Sequence, residues 1–161
     1  MIQVTKKGRF GRIALLAGLA FGASIMASSA FAGECPADQQ KADARKPVDV
    51  EAVGKTDTVI AMLDVAKEHG IDGRVFRMRR LTIEPGGVVP WHSHGDRPAI
   101  IYVVSGTIEE YSSDCAVPIV HKAGDVSAET KDIAHWWKNT GGETVVLISA
   151  DLPQKPDDSD M

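Results

Sequence analysis

Apolar and polar residues alternate along most of the chain from residue 74 to residue 150. The segment "GRVFRMRRLTIEPGG" places Val75, Arg77, Arg79 and Leu81 on one face, and this period of two predicts a strand. The segments "VVPWHSH", "AIIYVVSGTIEEYSS", "VPIVHKAGD", "VSAE", "AHWWKNTGG" and "ETVVLISADL" follow, separated by glycine or proline. Short strands divided by turn signals predict an all-β sandwich or barrel, with a Pro-Gly-Gly turn before the second strand.

The regions on either side of this core have different patterns. Residues 33–57 are polar, with Val48, Val50 and Val53 as a candidate short strand. The next segment, "TVIAMLDVAKEHG", fits either a strand with a following turn or one short helix. The predicted division is therefore an N-terminal arm with a first strand or turn (33–73), a barrel domain (74–152) and a flexible acidic tail (153–161).

Residues 1–32 have the pattern of a secretory signal peptide. Basic residues are followed by the uncharged stretch "IALLAGLAFGASIMASSAFA", which ends in an A-x-A site. This predicts cleavage between Ala32 and Gly33 and a periplasmic or secreted mature protein. An uncleaved membrane anchor is the alternative.

The predicted mature chain is acidic. Removing residues 1–32 leaves 14 Lys and Arg against 22 Asp and Glu, a formal net charge of −8. This charge argues against nucleic acid and anionic membrane surfaces as partners.

The two cysteines, Cys35 and Cys115, would lie in a compartment that permits disulfides. A bond between them is therefore expected, with two free thiols as the alternative. Neither cysteine has a C-x-x-C partner, so no redox motif is present.

Three histidines are candidate metal ligands. His92 and His94 are one residue apart, so on a strand their imidazoles share a face. His135 lies in a later predicted strand, and three converging imidazoles suit a first-row transition metal. His69 and His121 lie beside glycine turns and are interpreted as surface residues.

The positions around these histidines resemble the two motifs of the cupin superfamily. Gly86, His92, His94 and Gly106 match the first motif, and Gly124, His135 and Asn139 match the second. The resemblance covers roughly residues 74–150. It implies an antiparallel jelly-roll barrel in which the three histidines and a first-motif Glu bind a metal.

One departure from the motifs changes the expected chemistry. Ala99 occupies the position of the Glu ligand, which leaves a neutral three-histidine site. Asp96 is the only carboxylate nearby in sequence, and a solvated loop residue is its alternative interpretation. Within the cupins, such sites resemble those of dioxygenases. Iron(II) is the first expectation for the metal, with zinc, manganese, nickel and copper as alternatives, and a degenerate cupin without metal is a further alternative.

Strand alternation predicts a small-molecule pocket around the metal. Ala99 and Ile101 would share its inner face, and Trp137 would stack on a substrate or pack in the core. Arg97 is the best candidate for orienting an anion, ahead of the arginines at positions 77, 79 and 80. No titratable side chain besides the ligands is expected in the pocket.

Two functional classes fit these features. The first is a metal-dependent, dioxygenase-like enzyme acting on a small anionic or enolic molecule. The second is a non-enzymatic cupin that binds a metal or small ligand, and a metal-dependent isomerase is a weaker third. Exposed edge strands would also allow a homodimer.

Overall fold

The computed structural model describes residues 33–155, and most of the regular structure in this range is β-strand. The predicted signal segment and residues 156–161 of the predicted tail lie outside the described residues. The elements are a 3₁₀ turn (Ala37–Gln39), one helix α1 (Val65–His69) and the strands β1 (Val53–Leu63), β2 (Phe76–Ser93), β3 (Ala99–Ser105), β4 (Thr107–Ser112), β5 (Ile119–Lys122), β6 (Val126–Glu129), β7 (Ala134–Lys138) and β8 (Val145–Asp151). The all-β prediction is confirmed.

The long strand β2 connects the two halves of the barrel. Its residues 77–83 pair with β8, and its residues 88–93 pair with β7. The strands follow the order β5-β4-β7-β2-β8-β3-β6, and β1 also pairs with β2. All of these pairs are antiparallel. One antiparallel sheet therefore folds around a single core as a jelly-roll barrel.

β2 bends at Pro85–Gly87 without ending. The predicted Pro-Gly-Gly turn between two strands is wrong, because the strand runs from Phe76 to Ser93. Gly86 has a φ of 77°, which glycine adopts without the steric cost of a Cβ. The Gly86 N–H donates to the Asn139 carbonyl (2.9 Å), and the Asn139 N–H donates to the Gly87 carbonyl (3.0 Å). Residues 84–87 have no ladder partner, and these two hydrogen bonds to Asn139 hold the bend in place.

The barrel begins earlier than predicted. β1 pairs with β2 from Lys55 opposite Ile83 to Leu63 opposite Phe76, so the sheet starts at Val53 and not at residue 74. Residues 58–70, which fitted either a strand or a short helix, contain the second half of β1 followed by α1. Val48 and Val50 lie outside β1.

The first residues of the predicted flexible tail are attached to the barrel. The Lys155 N–H donates to the Gly73 carbonyl (3.0 Å), and Lys155 Nζ lies 2.9 Å from Asp64 Oδ2. A further backbone bridge joins Gln154 to Arg74. This part of the tail is therefore ordered against the start of the domain.

A disulfide attaches the N-terminal arm to the barrel. Cys35 and Cys115 are bonded, with their Cα atoms 5.8 Å apart. Arg45 adds side-chain hydrogen bonds to the carbonyls of Cys115 (3.1 Å) and Ala116 (3.1 Å). The arm is thus fixed over the loop after β4.

The core lies between the inner faces of the strands. Its buried apolar residues are Leu81, Ile83, Val103, Ile108, Trp137, Val145 and Leu147. On β8 the same inner face continues from Val145 and Leu147 to the buried polar residues Ser149 and Asp151. One end of the barrel interior is therefore polar. Between residues 33 and 155, no helix is long and apolar enough to cross a membrane.

Substituting Gly87 tests the close approach of β1 to the bend. A Cβ on Gly87 would lie 2.8 Å from the carbonyl oxygens of both Gly54 and Glu84, and neither backbone can move freely. Gly87→Ala is expected to lower the free energy of unfolding by about 1–3 kcal/mol, measured by urea denaturation. Gly142→Ala is the control, because no atom lies within 4 Å of the position that its Cβ would take, and it should change stability by less than about 0.5 kcal/mol. Equal effects of the two substitutions would contradict this packing.

Candidate metal centre

The pairing of β2 with β7 brings the three histidines together. His92 lies directly opposite His135 in the antiparallel register. His94 follows one residue after the end of β2, where its N–H donates to the Ile133 carbonyl (3.1 Å). His94 and His135 are 2% and 1% exposed, so the cluster lies largely inside the barrel.

The Nε2 atoms of the three rings point at one another. His135 Nε2 lies 3.1 Å from His94 Nε2 and 3.2 Å from His92 Nε2. The ring centroids are 4.7–5.0 Å apart. Three ring nitrogens therefore face one small space.

The opposite nitrogen of each ring determines the tautomer. Nδ1 contacts the Pro90 carbonyl in His92 (2.8 Å), the Arg97 carbonyl in His94 (3.0 Å) and Glu110 Oε1 in His135 (2.7 Å). Carbonyl and ionised carboxylate oxygens only accept hydrogen bonds, so each Nδ1 carries the proton. In the neutral rings, each Nε2 then presents a lone pair to the shared space.

Two of the three rings do not take up a second proton near neutral pH. Burial, followed by the neighbouring His135, lowers the pKa of both His92 and His94 from 6.5 to about 4. The His92 and His94 rings are therefore neutral at pH 7, and each offers an Nε2 lone pair to the shared space.

The spacing of the nitrogens fits a transition metal. Nitrogen ligands lie about 2.0–2.1 Å from zinc, so at ligand angles of 90–109° two of them are about 2.9–3.4 Å apart. The observed separations of 3.1 and 3.2 Å fall in this range. Together with the fixed tautomers, this shows that the donor set suits a divalent transition metal.

A buried carboxylate supports His135 from behind. Glu110 accepts from His135 Nδ1 and, through Oε2, contacts His121 Nε2 at 2.8 Å. Burial alone would raise the pKa of Glu110, but the hydrogen bonds from His121 and His135 outweigh burial and lower it. Such a carboxylate orients a histidine ligand and increases its electron donation to a metal.

His121 is not a surface residue, so that interpretation is wrong. Its side chain is 0% exposed and stacks on Trp137, with ring centroids 4.5 Å apart. Trp137 in turn meets the His135 ring edge-on, at 5.6 Å. His69 is exposed, at the end of α1.

The position of the missing Glu is flanked by other carboxylates. Ala99 pairs with Glu129 on β6 and with Asp151 on β8, and directly opposed residues share a face. Glu129 is 2% exposed, and neither of its carboxylate oxygens has a hydrogen-bond partner among the described residues. Its Oε2 lies 3.4 Å from His135 Nδ1, and burial raises its pKa. Glu129 therefore lies behind His135, on the side away from the converging Nε2 atoms.

A cavity of about 350 Å³ opens onto the three histidines. Its apolar wall includes Leu81, Val89, Pro90, Ile101, Trp137 and Leu147. Among the predicted pocket residues, Ile101, Trp137 and Arg97 line the cavity, whereas Ala99 and Asp96 do not. Ala99 is buried between its neighbouring strands, and Asp96 is exposed in its loop.

Arginines form the polar wall of the same cavity, and a second buried carboxylate anchors them. Asp151 Oδ2 lies 2.7 Å from Arg97 Nη1, 2.9 Å from Arg77 Nη2 and 3.3 Å from Arg79 Nη2. Burial raises the pKa of Asp151, but hydrogen bonds from Arg77 and Arg97 outweigh this and lower it. Arg79 and Arg97 line the cavity, whereas Arg80 is exposed.

The expectation that no titratable residue besides the ligands is forced into the pocket is therefore wrong. Lys55, Asp57, Arg79 and Arg97 line the cavity. Two further buried titratable residues, Glu110 and His121, lie behind His135 and had a signal in the alternation of their strands. Glu110 lies between Ile108 and Ser112 on the inner face of β4, and His121 shares the inner face of β5 with Ile119. Polar residues usually lie at the surface, so the inward positions of these two side chains were not predicted.

Comparison with known proteins agrees with the fold and the motifs. Residues 79–151 match the model of the Cupin_2 family, described as a cupin domain. The chain belongs to the cupin superfamily.

Its curated relatives include germin-like protein 5-1 from Oryza sativa subsp. japonica, 30% identical over 62% of this chain and 46% of that protein. Auxin-binding protein ABP19a from Prunus persica is 32% identical over 48% of this chain and 38% of that protein. The matches thus span less than half the length of either relative. Among solved structures, KdgF from Halomonas sp. is similar with a TM-score of 0.51 and 18% identity, covering 70% of this chain and 90% of that one.

The lowered pKa values predict how acid affects the metal-free protein. Between pH 6.5 and about 4, the unfolded chain takes up protons at His92 and His94 and the folded chain does not. These two residues therefore favour unfolding progressively as the pH falls through this window. The free energy of unfolding in EDTA should fall more steeply between pH 7 and pH 5 in the wild type than in a His92→Gln/His94→Gln variant. Parallel pH profiles would contradict this assignment.

Proposed function

We propose that the protein is an exported, metal-dependent enzyme of the dioxygenase-like type that acts on a small anionic or enolic molecule. The observation that supports this most is the convergence of three Nε2 lone pairs at the end of a cavity of small-molecule size. His92, His94 and His135 would hold the metal. Iron(II) is the first choice, and zinc, manganese, nickel and copper are the alternatives.

When bound, such a metal supplies Lewis acidity and, for iron, redox chemistry. Three neutral imidazoles add no charge to the site, so they would leave the two positive charges of the metal uncompensated. The nearest negative charge is that of Glu110, which is hydrogen-bonded to His135. This favours an anionic substrate group at the positions that the protein leaves open.

The cavity wall would orient the substrate and limit water. Trp137 is 3% exposed, and its ring borders both His135 and the cavity. Ile101 and Leu147 line the cavity as well, so the walls beside the histidines are mostly apolar. Low polarity at this wall would strengthen the electrostatic interactions of a bound anion.

Export is part of the proposal. The basic, apolar and A-x-A segments of residues 1–32 support it, because they match a secretory signal. The Cys35–Cys115 disulfide also supports it, since such bonds persist in oxidising compartments.

A binding function without catalysis is the second candidate. Among the described residues that line the cavity, Asp57 is the only carboxylate, and it is paired with Arg79 at 2.6 Å. A general base free to accept a substrate proton is therefore lacking in this wall. In addition, two of the relatives are named auxin-binding proteins.

Metal analysis tests the proposal. The purified protein should retain one equivalent of metal per chain, and a His92→Ala/His135→Ala variant should lose it while keeping its circular dichroism spectrum. His69→Ala is the matched control, because this histidine is exposed and outside the cluster. The metal-loaded wild type should consume oxygen with at least one substrate from a panel of diketones, thiols, catechols and small carboxylates.

The possible outcomes separate the two candidates. Metal retention without turnover would support the binding function. Failure to bind iron, zinc, manganese, nickel or copper under anaerobic loading would contradict the metal-dependent enzyme and leave only a binding function that needs no metal.

A further inference from the structure

We infer that the substrate carries two anionic groups, and that Arg97 binds the one farther from the histidines. The substrate class is then a small dicarboxylate. This inference rests on the proposed metal site for the first carboxylate, whereas the second carboxylate depends on the arginine wall alone.

Arg97 has donors that no residue between positions 33 and 155 uses. Its Nη1 donates to Asp151 Oδ2 at 2.7 Å, and this is its one side-chain hydrogen bond to the described residues. The side chain is 22% exposed and lines the cavity. A guanidinium has five N–H donors in a planar fork that matches a carboxylate, so the remaining donors can bind one.

Arg79 reinforces this wall. Its Nη1 and Nη2 donate to Asp57 and Ser149, but its buried Nε has no partner among the described residues. A buried donor without an acceptor is costly, which favours an acceptor arriving with the ligand.

The net charge of the side chains beside the cavity is positive, even after their salt bridges with one another are counted. Arg77, Arg79, Arg97 and Lys55 carry four positive charges, and Asp57 and Asp151 carry two negative ones. The excess of two positive charges is carried by arginine and lysine side chains and not by the neutral histidines. A substrate with a single carboxylate on the metal would leave this excess without a counter-charge.

One residue joins the two ends of the cavity. The Arg97 carbonyl accepts from His94 Nδ1 at 3.0 Å, while its guanidinium lines the wall. Asp151 holds the guanidinium, so Arg97 links the anion site to a metal ligand. The cavity volume of about 350 Å³ is at the small end for ligand pockets, so the dicarboxylate is short.

Calorimetric titration of the zinc-loaded protein tests the inference. Malonate, succinate and glutarate are compared with propionate, butyrate and valerate, the monocarboxylates of equal chain length. At least one dicarboxylate should bind about tenfold or more tightly than its monocarboxylate partner. Equal affinities in all three pairs would overturn the inference.

Substitution of Arg97 identifies the site. Arg97→Gln should weaken the best dicarboxylate about 10- to 100-fold and remove most of its advantage over the monocarboxylate of equal chain length. In this variant Asp151 still forms its salt bridges with Arg77 and Arg79, so the fold should be retained. Arg80→Gln is the control, because Arg80 is exposed and does not line the cavity. Unchanged dicarboxylate binding in Arg97→Gln would overturn the assignment.

Titration of the metal-free protein separates this inference from the proposed function. If zinc does not bind, the metal proposal fails, yet the dicarboxylate should still bind the metal-free wild type weakly and lose that binding in Arg97→Gln. If zinc binds and Arg97→Gln changes nothing, the anion site fails and the metal site stands.

Discussion

The candidate site depends on the continuity of β2 through its bend. The first half of the strand carries Arg77 and Arg79, and the second half carries His92. Two backbone hydrogen bonds to Asn139 hold the bend at Pro85–Gly87, so both halves of the strand contribute to one barrel interior. The cationic wall and the histidine cluster therefore border the same cavity.

Two buried carboxylates organise the cationic and basic groups around this cavity. Glu110 accepts from His135 and His121, and Asp151 accepts from Arg77 and Arg97. Burying a charge is costly unless it is paired and hydrogen-bonded, and both carboxylates meet this condition. Their burial explains how a wall of arginines and a cluster of histidines can be rigid enough to bind a ligand.

Sequence alone predicted the parts of the structure that follow from local alternation. The strand pattern and the inward positions of Ile101 and Trp137 follow from a period of two, whereas the two motifs follow from the resemblance to the cupin superfamily. The inward Glu110 and His121 had the same signal, but polar residues at such positions look like surface residues until their partner strands are known. The bend in β2 was missed for a related reason. Pro-Gly-Gly makes either a turn or a bend, and the choice depends on Asn139, which is distant in sequence.

The most direct measurement of the central claim is the tautomeric state of the three histidines by ¹⁵N NMR of histidine-labelled protein. With hydrogen bonds from each Nδ1 to Pro90, Arg97 and Glu110, all three rings should be Nδ1–H tautomers at pH 7 without metal. Adding zinc should then shift their Nε2 resonances and leave Nδ1 protonated. Nε2–H tautomers in the metal-free protein, or Nε2 resonances that do not respond to zinc, would contradict the account.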